Sequence, residues 1–101
     1  MAPYFINLQE AVDFIAPEKQ IGISGNMVMS PMALIREIIR QGKRNLSLLF
    51  ASSAAINADL LIGAKIAAQV EFPSISLGEY GAAPHFRRAV EQGDVAFKDH
   101  A

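Results

Sequence analysis

The sequence contains no cysteine and no tryptophan, and it has no long apolar run. The absence of cysteine excludes a disulfide framework and any thiolate metal site, and it fits a reducing compartment. No apolar run approaches the roughly 18 residues that a membrane span needs. The N-terminus has no basic region followed by an apolar segment and a cleavage site. These absences predict a cytoplasmic protein that does not enter a membrane.

An excess of charge of either sign is also missing. The chain has 9 basic and 10 acidic side chains, for a net charge of −1. We therefore expect no general attraction to nucleic acid or to an anionic membrane, and any anion site must be local. The two histidines, His85 and His100, are far apart and have no carboxylate cluster beside them, so no metal site is predicted. No G-x-S-x-G motif is present, and no catalytic residue is assigned.

The 101 residues, 51% of them hydrophobic, suffice for one small domain that spans residues 1–101. Helical and extended patterns alternate, which predicts an α/β fold with a mainly parallel sheet and flanking helices. Because the hexamer NLSLLF is mostly apolar, we expect its strand to be covered on both faces. The predicted helices are Asn7–Ile15, Pro31–Gln41, Ala58–Ala64 and Ala83–Gln92, and the predicted strands are Ile21–Ser24, Asn45–Phe50, Ala68–Phe72 and Asp94–Lys98.

The local sequence pattern predicts several helix caps and the buried or exposed faces of two helices. Asn7 and Glu10 fit a capping box, and Asn57 is a plausible cap for the third helix. In the second helix, Glu37 is expected away from the apolar stripe. In the last helix, Val90 is expected to face inward.

The segment from Ile21 to Gly42, IGISGNMVMSPMALIREIIRQG, predicts a strand, a turn and a helix. Gly25 and Asn26 break the apolar run and tolerate left-handed backbone angles. Ser30 is expected as the N-cap, with Pro31 at the first helical position.

Ligands of open α/β sheets gather at the carboxyl ends of the strands, where helix N-termini present unpaired N–H groups. Phosphate or carboxylate is therefore the expected guest of the Gly25–Pro31 loop, although a capped crossover with nothing bound fits the same pattern. Ser52 and Ser53 follow the second strand, where they would donate to a carboxylate or satisfy the loop backbone. Glu79 lies in a turn after the third strand, as a ligand contact or as an ordinary solvated carboxylate.

The segments IGISGN, PMALIREIIRQGKRNLSLL, ADLLIGA, SISLGEYG and PHFRRAVEQGDV together resemble the N-terminal part of the α subunit of family I CoA-transferases, of the glutaconate CoA-transferase type. The resemblance runs from Gln20 to Lys98. It implies a truncated CoA-transferase fold, of the kind shared with ribose-5-phosphate isomerase. It also implies that CoA is a substrate and that an acyl group moves between CoA and a small carboxylic acid through a glutamyl thioester.

The resemblance also implies roles for individual residues. It places CoA binding at Gly25, Asn26, Met27, Ser30 and Pro31. It places binding of the carboxylic acid at Ser52, Ser53 and Glu79.

The sequence departs from the family pattern in two places. The family's nucleophilic glutamate lies in a motif of the S-E-N-G or E-x-G type in the β half, and no glutamate of this chain is in such a motif. The family commonly reads G-G-F-x-x-x-G-x-P in the first loop, where this chain has Asn26 in place of the aromatic residue and Met29 in place of the later glycine.

Family α subunits are also more than twice as long as this chain. A truncated sheet would expose an edge with unpaired backbone groups, so we expect a β-subunit partner or self-association.

Three functional hypotheses follow. The first is an α-type subunit that contributes CoA- and acid-binding loops, lacks the catalytic glutamate and is inactive without a β partner. The second is a stand-alone small binding or interaction module that retains the fold core and has lost transferase activity. The third is a CoA thioester hydrolase with Glu79 as its base.

Overall fold

The computed structural model describes residues 5–16, 19–26 and 28–99. Within them, helices and strands alternate along the chain, which confirms the predicted α/β class. None of the described helices has the length and apolar character needed to cross a membrane. The elements are α1 (Leu8–Asp13), β1 (Gln20–Ile23), α2 (Met32–Arg40), β2 (Leu46–Phe50), α3 (Ile56–Gly63), β3 (Ala67–Phe72), a 3-10 turn (Gly78–Tyr80), α4 (Pro84–Gln92) and β4 (Ala96–Asp99).

The four strands form one parallel sheet in the order β1-β2-β3-β4. Parallel crossovers are almost always right-handed, so strands in consecutive order receive their connecting helices on the same face. The contacts agree, because α1 packs on α2, α2 on α3 and α3 on α4. The helices thus form a single layer over one face of the sheet.

The core lies between the sheet and this helical layer. Leu48, Phe50 and Val70 are fully buried or nearly so on the helix side, whereas Ser47 and Leu49 on the other side are only half-buried. The expectation that β2 is covered on both faces is therefore wrong for the described residues. Three rings join β3, α4 and β4, because Phe72, Phe86 and Phe97 pack edge to face with centroids 5.2–5.9 Å apart.

Some helix ends match their sequence signals. The capping box of α1 is present, with Glu10 N donating to Asn7 Oδ1 at 2.8 Å. Pro84 is the first residue of α4, and Gly93 ends it in a left-handed conformation with φ +70°.

The start of α2 differs from the prediction. Pro31, and not Ser30, is the N-cap, and the helix begins at Met32. Pro31 has φ −79° and ψ 65°, and Met32 N donates to Ser30 O at 2.8 Å, which is an inverse γ-turn. That turn places Ser30 outside the position from which a side chain can cap the helix.

Two predicted helix faces are also wrong. Glu37 is buried, where it pairs with Arg40 and accepts a 3.0 Å hydrogen bond from Gln41 Nε2. Gln41 Nε2 also donates to Gln9 O at 3.2 Å, which connects α2 to α1. Val90 is 52% exposed, because Phe86 and the buried Ala89 fill the inner face of α4.

The contact between α3 and α4 depends on a glycine. A Cβ added at Gly63 would lie 2.6 Å from Cγ of His85, closer than packed carbon atoms approach. The replacement of a helical glycine by alanine ordinarily stabilises a helix by about 1 kcal/mol, but overpacking costs about 1–3 kcal/mol. The clash with His85 therefore decides whether alanine at position 63 stabilises or destabilises the protein.

We predict that Gly63→Ala lowers the free energy of unfolding by about 1 kcal/mol in urea denaturation. Gly22→Ala is the control, since no atom of the described residues lies within 4 Å of the added methyl group. His85→Ala should relieve the clash, so the two changes should be non-additive in a double-mutant cycle. A stabilised Gly63→Ala variant would contradict this account of the packing.

Candidate functional site

The loops that follow β1, β2 and β3 all lie at the carboxyl edge of the sheet, because the strands are parallel. These loops comprise residues 24–31, 51–55 and 73–83. All of the described site residues predicted from the sequence fall on them, and Met27 lies outside the described residues. The first loop contains Gly25, Asn26, Ser30 and Pro31, the second contains Ser52 and Ser53, and the third contains Glu79.

The first loop folds back on itself at Gly25. Gly25 has φ +90°, and a Cβ there would lie 2.5 Å from Met29 O. Asn26 closes a tight turn inside the loop, since its N donates to Val28 O at 3.1 Å and its Oδ1 accepts from Val28 N at 3.3 Å. The space that a side chain at position 25 would need is thus taken by the backbone of the same loop. The glycine is required for the shape of the loop.

Asn57 ties this loop to α3. Its side chain is fully buried, and its Oδ1 accepts from Ala55 N at 2.9 Å and from Ala58 N at 2.8 Å. Its Nδ2 donates to Gly25 O at 3.1 Å. The prediction of Asn57 as the N-cap is wrong, because Ala55 is the N-cap and Asn57 lies in the first turn. The side chain instead fixes the position of the first loop relative to the second.

The second and third loops are joined by an isolated parallel bridge. Ala54 N donates to Ser74 O at 2.8 Å, and Ser76 N donates to Ala54 O at 3.1 Å. Beside this bridge, Ser74 Oγ donates to Ser53 Oγ at 2.8 Å. The Ser53 hydroxyl therefore takes part in a contact between loops, and both Ser52 and Ser53 are exposed.

The start of α2 is the part of this edge best suited to an anion. Among the described residues no side chain caps the helix, so the first-turn N–H groups beyond Met32 have no side-chain acceptor there. The helix dipole adds a partial positive charge at the same point. Ser30 Oγ is buried there without a hydrogen-bond partner in the described part of the chain. An oxyanion at this corner would satisfy donors that the fold leaves unused.

Glu79 and Tyr80 lie farther along the edge, on the 3-10 turn after β3. Gly81 N donates to Gly78 O at 3.0 Å and closes the turn, and both side chains are exposed. β3 is two strands from β1, which corresponds to roughly 10 Å at the usual strand spacing. Glu79 is therefore on the loop of the strand two positions away from the one that precedes α2.

Two residues that organise this edge were missed as long-range partners by the sequence analysis. One is Asn57, and the other is Asp59, which is buried and whose Oδ1 accepts from Phe86 N at 2.8 Å. Asp59 thus caps α4 from the neighbouring helix. Their only sequence signal is the presence of two polar side chains in the first turn of an apolar helix. Across residues 5–16, 19–26 and 28–99, no group of three or more His, Cys, Asp or Glu side chains could hold a metal ion.

Comparison with known proteins gives a consistent family match. The model of the family described as coenzyme A transferase matches residues 5–100. A crystal structure of a variant of the decarboxylase AibA/AibB superposes with a TM-score of 0.85 and 32% identity, covering 95% of this chain and 38% of that chain. None of the curated proteins compared matches the sequence.

The glutaconate coenzyme A-transferase of Acidaminococcus fermentans has the same fold at lower identity. The TM-score is 0.86 at 23% identity, and the match covers 95% of this chain and 31% of that chain. This chain thus spans about a third of the length of these two solved chains.

The bond from Asn57 to Gly25 can be tested by an isosteric change. Asn57→Asp keeps an acceptor for the N–H groups of Ala55 and Ala58 but loses the donor to Gly25 O. We predict a loss of about 1–3 kcal/mol in the free energy of unfolding, together with faster amide exchange in residues 24–30.

Asn26→Asp is the matched control, because its exposed side chain accepts only and keeps that role. It should change stability by less than about 0.5 kcal/mol. Equal effects of the two variants would show that the Asn57 donor does not hold the loop.

Proposed function

The chain belongs to the coenzyme A transferase family, and we propose that it contributes CoA- and carboxylate-binding loops to a cytoplasmic complex. In this proposal the substrates are an acyl-CoA and a small carboxylic acid. A partner chain of the β-subunit type supplies the nucleophilic glutamate, and this chain alone is inactive.

One observation carries the proposal: the uncapped start of α2 lies beside a loop that Asn57 holds in place. The phosphates of CoA are anions that open N–H groups and a helix dipole can bind. In the proposal, residues 25–31 bind CoA through these groups. Ser52, Ser53 and Glu79 lie on the neighbouring loops, where they contact the acid.

Neither Glu37 nor Glu79 is suited to act as the nucleophile. Glu37 is buried in its ion pair with Arg40, so a thioester cannot reach it. Glu79 is exposed on a short turn and is not in a motif of the family's nucleophilic type. The same exposure disfavours the hydrolase hypothesis, because a general base needs a positioned water molecule.

A stand-alone binding module is the second candidate function. It is favoured by the first loop, where the backbone of Met29 and Ser30 occupies the space beside Gly25 that a closely approaching ligand would use. The similarity to a decarboxylase indicates that this fold also serves reactions other than CoA transfer.

Acetyl-CoA binding tests both candidates. We predict that isothermal titration calorimetry of the wild-type chain detects acetyl-CoA, and that Gly25→Ala weakens binding at least about tenfold, or 1.4 kcal/mol. The reason is that the added methyl group displaces the first loop. Gly22→Ala, on the strand just before it, should bind as the wild type does.

No heat at millimolar acetyl-CoA would remove the CoA-binding proposal. The two candidates separate in a second step, in which transferase activity is measured after a β-type chain is added. Activity would support the subunit, while binding without activity would support the module.

The two edges of the sheet differ in a way that predicts the site of assembly. β4 carries the exposed charges of Lys98 and Asp99, which protect an edge from pairing. β1 carries no charge, and Gly22 is exposed on it. We therefore propose that a partner or a second copy pairs with β1.

Sedimentation velocity should show the wild-type chain heavier than a monomer, and Gly22→Lys should shift it towards the monomer mass. Ala96→Lys, which adds the same charge to the opposite edge, should leave the mass unchanged. Monomeric wild type would contradict self-association, and pairing at β1 would then require a different partner chain.

A further inference from the structure

A cavity of about 460 Å³ lies at the opposite end of the sheet from the candidate site. It is formed where β2, β3 and β4 begin, between the end of α3 and the side of α4. Its polar lining residues are Asn45, Lys65, His85, Arg88, Gln92 and Asp94. We propose that this cavity binds a phosphate group, as a second site that is independent of the proposed function.

The hydrogen bonds in the cavity favour an acceptor ligand. His85 Nδ1 lies 3.2 Å from Arg88 Nη1. Because a guanidinium can only donate, Nδ1 accepts, and the ring proton of neutral His85 is on Nε2. The ring is held against α3, because Gly63 leaves no room for a Cβ between them. His85 Nε2 and the remaining N–H groups of Arg88 are therefore donors among the residues that line the cavity.

Lys65 occupies a position where a glycine would be more stable. The left-handed residues after α2 and α4 are Gly42 and Gly93, with φ +69° and +70°, but the one after α3 is Lys65, with φ +61°. Lys65 N donates to Ile62 O at 3.0 Å in the usual helix-ending turn. A residue with a Cβ is disfavoured there. Binding of a phosphate by the Lys65 ammonium group in this cavity would explain why a lysine occupies this strained position.

The charges around the cavity leave one excess positive charge. Lys65 and Arg88 oppose the single carboxylate of Asp94. Lys65 Nζ is 3.9 Å from Asp94 Oδ2, and both side chains are exposed, so this ion pair is loose. A phosphate can bind the Lys65 ammonium group in place of the Asp94 carboxylate, which competes with the phosphate for it. Removal of the carboxylate should therefore strengthen anion binding.

The test is an NMR titration of the whole chain with inorganic phosphate, with chloride at matched ionic strength as reference. We expect saturable amide shifts at Lys65, His85 and Arg88 in the millimolar range. Arg88→Gln should abolish them, and Asp94→Asn should tighten binding about threefold. Arg44→Gln, an equal charge change at a residue that does not line the cavity, should bind as the wild type does.

Lys65→Gly separates a binding role from a structural one. It should abolish phosphate binding and at the same time raise the melting temperature, by about 4 °C, because the backbone strain is removed. The proposal fails if no saturable shift occurs, if Arg88→Gln binds phosphate unchanged, or if Lys65→Gly is less stable than the wild type.

A parallel titration with acetyl-CoA identifies the source of the phosphate. Shifts at this cavity with inorganic phosphate but not with acetyl-CoA would assign it to a separate phosphorylated metabolite, whereas acetyl-CoA shifts here and none in the carboxyl-edge loops would contradict the proposed CoA site. The cavity and the carboxyl-edge loops lie at opposite ends of the sheet. The amide shifts at each site therefore show binding there whether or not a ligand binds at the other site.

Discussion

The hydrogen bond from Asn57 Nδ2 to Gly25 O is the interaction on which the candidate site depends. It joins the loop after β1 to the helix after β2, two segments that are 32 residues apart in the sequence. The buried amide also accepts from Ala55 and Ala58, so each of its hydrogen-bonding groups has a partner and its orientation is fixed. Without this bond, the loop beside the uncapped start of α2 would not be held in position.

The arrangement of the sheet makes such a bond possible. Four parallel strands in sequential order bring three loops to one edge and four helices to one face. The opposite face and the edge at β1 are less well covered by the described residues, which is where a further chain can attach. In the proposal, ligand binding and assembly with a partner therefore involve different parts of the sheet.

Sequence reasoning was reliable where local interactions decide the structure. The capping box at Asn7 and Glu10, and α4 with Pro84 at its start and Gly93 at its end, depend on neighbours in the sequence and were predicted correctly. It was wrong at Ser30, which precedes a γ-turn, and at Glu37, whose buried carboxylate pairs with Arg40 and accepts from Gln41. The alternation of elements and the resemblance of motifs gave the fold and the family. The internal closure of the first loop at Gly25 depends on backbone contacts that no sequence pattern reports.

The central claim is that the start of α2, beside the loop that Asn57 holds, receives the phosphates of an acyl-CoA. A crystal structure of the chain grown with acetyl-CoA tests it most directly. The account predicts CoA phosphate oxygens within hydrogen-bond distance, about 3 Å, of the first-turn N–H groups of α2. Acetyl-CoA bound elsewhere on the chain, with this corner filled by the first loop itself, would contradict it.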